Sequence, residues 1–385
     1  MKSKKDSLEI APRRISQHTL RPTHIVVKIE QIVQNYRILQ AHCQKPVMAV
    51  IKADAYGHGI VEVAKALEAE GAPYFGVAYL EEALLLREEG VQTPILVMGG
   101  ILGEQIPLYI ENNITLTASS IDKLRAIETC AQAMNHRAIA HLKIDTGMER
   151  IGVHDYSAGS LLEVASACQN VQIEGIFTHF ANSDMPDLSH TRLQCERFEI
   201  VLKQAQEMGL DIPLQHLANS AAVVRLPESY GTMVRAGIML YGVYPSSDVP
   251  RLEGIRPAMT WRSQSVFFKV LQPGRPVGYG SKWVSDEMTR IVTIPVGYGD
   301  GYHRVMSGQA EVLIRGKRYP VVGSICMDQI MVNIGWDEVY NGEEVLLLGE
   351  QGEDQISVDE LAQWAQTNTY EILTSINLRV TRVHI

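Results

Sequence analysis

The chain has 385 residues, 46% of them apolar and 21% charged, which is ordinary for a globular protein but too long for one ordinary core; roughly two to three domains are expected. A net charge of −9 and a pI near 5.8 argue against a nucleic-acid binder and against a polybasic membrane-surface protein. Five cysteines with no CxxC spacing argue against a zinc site or a disulfide framework and favour reduced thiols in a cytosol.

In chain order, the polar opening "MKSKKDSLEIAPRRISQHTLRP" lacks the apolar run of a signal peptide, and no uncharged apolar stretch approaches the ~18 residues of a membrane span. "THIVVKIE" (23–30) reads as a strand before the helical "QIVQNYRILQAHC". Eight short apolar runs then recur: "VMAVIK" (47–52), "YFGVAY" (74–79), "PILVMG" (94–99), "ITLTAS" (114–119), "AIAHLKID" (138–145), "QIEGIFTH" (172–179), "LQHLAN" (214–219) and "MVRAGIM" (233–239). Helical patterns separate them, the longest being "RLQCERFEIVLKQAQEMG", with apolar residues at i, i+3, i+4 and i+7. Several of the runs are apolar without alternation, as strands covered on both faces should be. Eight strands alternating with helices predict an α/β fold, a parallel (β/α)8 barrel of the TIM type over 31–248. One strand fewer would leave an open doubly wound sheet. Past the linker-like "SSDVPRLEGIRP" the pattern turns to strands, up to "SINLRVTRV", with helical character only in "SVDELAQWAQ" (357–366). A mainly β C-terminal domain over 249–385 is expected, completed by residues 1–30.

Barrel enzymes work at the C-terminal ends of their strands. There the first strand presents Lys52 and the fifth runs into "KIDTGMER". The sixth ends in "THFANSD" with His179, the seventh in Asn219 and Ser220, and the eighth carries Arg235, Gly237 and Ile238. Taken singly, each has a plain structural reading: a solvated lysine, an N-cap, an ion pair, a core histidine. Together they place an amine opposite a phosphate-type cradle, the combination that suits pyridoxal phosphate. The glycine-rich "VGYGSKW" and "GYGDGYHR" fit neither nucleotide-loop pattern.

The sequence resembles the alanine racemase family along nearly its whole length. The ordered motifs are "AVIKADAYGHG", "LKIDTGMERIGV", "THFANSD", "HLANSAA", "VRAGIMLYG", "VGYGSKW", "IPVGYGDGYHR" and "GSICMDQ". The resemblance implies that Lys52 holds pyridoxal phosphate and serves as one base, with Tyr279 from the other subunit of a homodimer as the second. It implies that Tyr56, Ser220 and Ile238 hold the phosphate with Tyr241 nearby, that Asn219 and Gly237 also bind the cofactor, and that Arg235 faces the pyridine nitrogen. It sets Arg150, Met327 and Tyr298 at the substrate, makes Lys143 a site of carbamylation that orients Arg150, and lets His179 bridge Arg235 and Tyr279. The implied reaction interconverts L- and D-alanine in the cytoplasm, supplying D-alanine for peptidoglycan. Phe177, Ser324, Glu149 and Leu378 depart from the family's usual residues. Leu378, where a pocket-lining tyrosine is expected, keeps open a broader racemase acting on serine or larger residues. A non-catalytic cofactor carrier would lack the β domain and Tyr279, and a decarboxylase of this fold would carry a cysteine motif not seen here.

Overall fold

The computed structural model describes residues 21–385; the first 20 residues of the expected 1–30 segment lie outside them. Eight parallel strands form a barrel in chain order: Val47–Val50, Tyr74–Val77, Ile95–Val97, Leu116–Ala118, Ala138–Asp145, Val171–Phe177, Leu214–His216 and Val234–Ala236. The eighth pairs with the first, Val234 beside Val47, which closes the ring. Two seams are short. Val97 N–H donates to the Thr115 carbonyl (3.2 Å) between strands three and four, and Arg235 N–H donates to the Ala218 carbonyl (2.9 Å) between seven and eight. With those seams joined, no barrel strand keeps a free edge.

The first three strands are buried at every residue, which accounts for their unbroken apolar runs. The helices lie outside and bury one stripe each. Ile121–Ala133 turns Leu124, Ile127 and Ala131 inward, and Ser120 caps it by accepting from the Lys123 N–H at 3.2 Å. Truncating the fully buried Leu124 to alanine should cost about 2–5 kcal/mol.

A ten-stranded sheet follows the barrel. His24–Val27 belongs to it, antiparallel to Met259–Gln264 and parallel to Thr381–His384, as the reading of "THIVVKIE" anticipated. Two expectations for this part need correction. There are two helices, not one: Val358–Ala365, with Ser357 and Glu360 forming its capping box, and Thr369–Ser375, capped by Asn368. The run "SINLRVTRV" is strand only at Thr381–His384. Before that, side-chain contacts replace the ladder: Arg379 Nε donates to Asp300 (2.7 Å), and Asn377 N–H donates to the Asp300 carbonyl (3.0 Å).

Candidate active site

Lys52 stands two residues past the first barrel strand, and the chain behind it turns the unusual way. Ala53, Asp54, Ala55 and Tyr56 all have φ between 52° and 55°, a left-handed turn made of residues with side chains. Such a conformation costs roughly 1–2 kcal/mol per residue. Compensation comes from the Glu82 carboxylate, which accepts from the N–H groups of Ala53 (2.5 Å), Ala78 (2.7 Å) and Tyr79 (3.3 Å). Asp54 adds an acceptor for the Ile60 N–H at 2.9 Å. At Gly57, φ is 80° and a β-carbon would meet the Leu373 carbonyl oxygen at 2.4 Å, so no other residue fits there. The turn delivers Lys52 and Tyr56 to one cavity. Burial, then the charges of Arg150 and Arg235, lowers the Lys52 pKa and favours a neutral amine.

That cavity, about 330 Å³, is lined among others by Lys52, Tyr56, Arg150, His179, Arg235 and Tyr370. One end is a small cradle. Gly237 N–H donates to Ser220 Oγ (2.8 Å), and a β-carbon on Gly237 would come within 2.8 Å of the Tyr56 hydroxyl. Ser220 opens one short helix, capped by Asn219 Oδ1, which accepts from the Ala222 N–H (3.1 Å); Ile238 opens another. Hydroxyls and backbone N–H groups around a space that only glycine leaves free suit a phosphate. The donor set therefore fits pyridoxal phosphate: a cradle for its phosphate, an amine for its aldehyde and the Arg235 guanidinium on the same cavity wall. Tyr241 is not on the cavity wall. It is fully buried behind Tyr56, with ring centroids 5.0 Å apart, and donates to the Val50 carbonyl at 3.1 Å. It supports the cradle from behind, which corrects its expected cofactor contact.

Arg235 is buried and held by two strands. One amino group donates to the His216 carbonyl (2.5 Å) and His216 Nδ1 (3.1 Å). The other donates to the carbonyls of Thr178 (2.7 Å) and Leu217 (2.9 Å) and to His179 Nδ1 (3.2 Å). Burial, then Arg150, brings its pKa down to about 9, so it stays charged at neutral pH. Burial and Arg235 hold His179 well below its usual value, as a neutral imidazole. Lys143 is buried beside the Phe177 ring and donates to the Ile144 carbonyl (2.9 Å). Burial, then Arg235, lowers its pKa to about 7. Asp145 accepts from four N–H groups, Gly147 through Arg150, and so shapes the turn that carries Arg150.

Three expected site residues stand apart. Tyr279, Tyr298 and Met327 lie in the part of the chain that forms the ten-stranded sheet, are exposed, and do not line the Lys52 cavity. They are held firmly nonetheless. Ser324, a departure from the family pattern, donates to the Tyr279 carbonyl (2.9 Å), while the Met327 carbonyl accepts from Gly299 N–H (2.9 Å) and Arg379 (3.3 Å). His179 reaches Arg235 as expected, but Tyr279 of the same chain is not at the cavity it lines. Leu378 is 79% exposed and, like Tyr279, lines no part of that cavity in its own chain. Phe177 also lies outside it, stacked on His216 at 4.8 Å. The tyrosine that does line the pocket is Tyr370, from the helix Thr369–Ser375, with its ring 6.1 Å from that of Tyr56. Sequence reading missed it because a seven-residue helix shows too little periodicity; the cap-like Asn368 three residues before Glu371 was the available signal.

Comparison with known proteins agrees with this geometry. Residues 27–245 match the alanine racemase N-terminal domain and residues 258–384 the alanine racemase C-terminal domain. The alanine racemase of Carboxydothermus hydrogenoformans is 44% identical over 369 residues, 95% of this chain and 100% of that one. The crystal structure of alanine racemase from Streptomyces lavendulae superposes with a TM-score of 0.92 at 36% identity, covering 95% of this chain and 98% of that one. That from Bartonella henselae, solved with covalently bound pyridoxal phosphate, gives 0.87 at 28% identity over 95% and 100%. Fold, cavity and relatives converge, and the chain belongs to the alanine racemase family.

Proposed function

We propose that Lys52 and Tyr279 are the two bases of the racemase reaction, and that Tyr279 reaches the cavity of a second copy of the chain. As a member of its family the protein is a pyridoxal phosphate-dependent enzyme that interconverts L- and D-alanine. The observation that carries the proposal is the separation of the site's parts. The amine, the phosphate-type cradle and Arg235 share one cavity, while the exposed Tyr279, Tyr298 and Met327 line none of it. A two-fold homodimer brings the missing half to each mouth and makes two equivalent sites.

Pyridoxal phosphate, when bound, supplies the aldehyde that captures an amine and a conjugated ring that spreads the electron pair left at Cα. The chain's own residues do the rest. Tyr56, Ser220, Gly237 and Ile238 hold the phosphate, with Asn219 capping the helix that Ser220 opens. Arg235, which does not yield its proton at working pH, would hold the ring nitrogen as a donor and keep it unprotonated. Arg150 and the Met327 backbone N–H hold the substrate carboxylate, with Tyr298 beside them. Lys52 Nζ takes the Cα proton from one face and the Tyr279 hydroxyl returns one to the other; in the reverse direction the roles exchange. The half-neutral Lys143 amine suits addition of carbon dioxide, and the carbamate would accept from Arg150.

Other readings follow the same support. We assign 31–248 to the barrel unit and 1–30 with 249–385 to the second unit, because His24–Val27 is laced into the ten-stranded sheet. Among the described residues no helix is long and apolar enough to cross a membrane; we assign the protein to the cytoplasm, where its five free cysteines would stay reduced, and its role to supplying D-alanine for the cell wall, as the family does. The test is complementation: Lys52→Ala and Tyr279→Ala are each expected to be nearly inactive, and a mixed dimer refolded from both to regain activity through one intact site. A mixed dimer, verified by mass, that stays inactive overturns the shared site.

A further inference from the structure

The barrel lumen below Arg235 is polar, and its hydrogen bonds run in one direction. Arginine has no acceptor. Arg235 must therefore donate to His216 Nδ1 (3.1 Å), which leaves the proton of neutral His216 on Nε2. That proton points at His141 Nδ1 (2.9 Å), so the His141 proton sits on its own Nε2, and from there it reaches Glu174 Oε2 at 3.2 Å. Glu174 also accepts from the Tyr74 hydroxyl (2.8 Å), which in turn accepts from Thr115 (2.5 Å). Arg235, His216, His141 and Tyr74 are all buried, while the Glu174 side chain is 23% exposed. Among the described residues Arg235 has no carboxylate partner of its own; its side-chain contacts are carbonyls and imidazoles.

We infer that Glu174 is a positioning residue for the racemase reaction: through His141 and His216 it fixes the orientation of Arg235 and serves as its distant counter-ion. The inference rests on the reading that Arg235 faces the cofactor's ring nitrogen. The geometry supports it in two ways. Glu174 can only accept at neutral pH, so it receives the last proton of the order that Arg235 dictates, and neither ring can flip without leaving two like-facing groups in contact. Its place is also telling: it sits midway along the sixth strand, and the relay climbs through the lumen from it to the cavity, filling with polar groups a space that barrels of this kind usually pack with branched apolar side chains. Buried polar chains of this sort polarise one another, and losing one terminus is felt at the other. Burial together with Arg235 keeps His216 well below its usual pKa, consistent with a neutral link.

The experiment compares the full-length protein with Glu174→Gln, which keeps an acceptor but not the charge, and Glu174→Met, which keeps neither. In cofactor-free protein, ring ¹⁵N shifts should report Nε2–H for both histidines in the parent, and the His141 Nε2 signal should lose its hydrogen-bonded shift in Glu174→Met. In loaded enzyme, kcat should fall about tenfold in Glu174→Met and less in Glu174→Gln, with KM within about twofold, since the substrate is not touched. The visible band of the bound cofactor should shift in the same order. Glu174→Gln preserves shape and keeps the test valid if Glu174→Met does not fold. An unchanged His141 Nε2 shift, or an unchanged kcat and band in both variants while Arg235→Lys moves the band, overturns the relay and leaves the site reading intact. If Arg235→Lys also leaves the band unmoved, Arg235 does not face the ring, and the inference falls with that reading.

Discussion

Gly237→Ala tests the phosphate cradle with one methyl group. The added β-carbon would lie 2.8 Å from the Tyr56 hydroxyl oxygen and 3.8 Å from Ser220 Oγ. The first distance is well inside van der Waals contact, so Tyr56 must move. It has little room, because its ring is flanked by Tyr241 at 5.0 Å and Tyr370 at 6.1 Å, and Tyr241 is fully buried. Overpacking a confined site costs about 1–3 kcal/mol. If that cost falls on the loaded state, cofactor affinity drops roughly 5- to 150-fold. The assay is titration of cofactor-free protein followed by tyrosine or cofactor fluorescence, with the thermal midpoint of unloaded protein as control. The clash is with a hydroxyl, so Tyr56→Phe should relieve it: the double variant is expected to bind more tightly than the product of the two single losses implies. Strict additivity, or a Gly237→Ala protein that binds cofactor like the parent, refutes the assignment of this space to the phosphate.

Lys143 gives a pH signature. Its amine titrates near 7 in the folded protein against a reference of 10.5, so the unfolded chain binds more protons between those values and stability rises with pH across them. Lys143→Met should remove about 2 kcal/mol of the gain between pH 7 and pH 9 in bicarbonate-free chemical denaturation; a parallel pair of pH curves would contradict the buried amine. Glu82→Ala strips acceptors from three backbone N–H groups around the left-handed turn and should cost about 2 kcal/mol, read as a lower denaturation midpoint, together with slower borohydride-trapped labelling of Lys52. Leu378→Tyr should leave the serine-to-alanine turnover ratio unchanged, whereas Tyr370→Ala should raise it; the opposite pattern would restore Leu378 to the pocket wall.

Much of the barrel was readable because its strands are short, apolar and punctuated, and because a lysine at a strand end is out of place unless something uses it. The cradle was readable for a related reason: Ser220, Gly237 and Ile238 all fall just past strands seven and eight. Other features depend on three-dimensional registration that one sequence does not carry. Tyr241 sits close to the cradle in sequence, but the turn at Ile238–Tyr241 rotates it behind Tyr56. Tyr370 went unread because it lies on the short helix Thr369–Ser375, which shows too little periodicity to be seen in one sequence. The polar relay was hidden because His141, Glu174 and Tyr74 lie on three different strands, and only the stagger of the closed barrel brings them to one column.

The lacing of His24–Val27 between Met259–Gln264 and Thr381–His384 also sets a schedule for biosynthesis. Most barrel strands pair with the next strand to be made, and only the closing pair waits. His24–Val27 leaves the ribosome among the earliest segments, yet its parallel partner follows roughly 20–70 s later at ordinary elongation rates. Throughout that interval one flank of the strand carries bare N–H and C=O groups, a template for pairing with another nascent chain. A ribosome stalled a few codons short of Thr381 would therefore release a chain with a finished barrel and an open seam in its second sheet, and without the Arg382 side chain that donates to the Gly57 carbonyl (3.2 Å) behind the Lys52 turn.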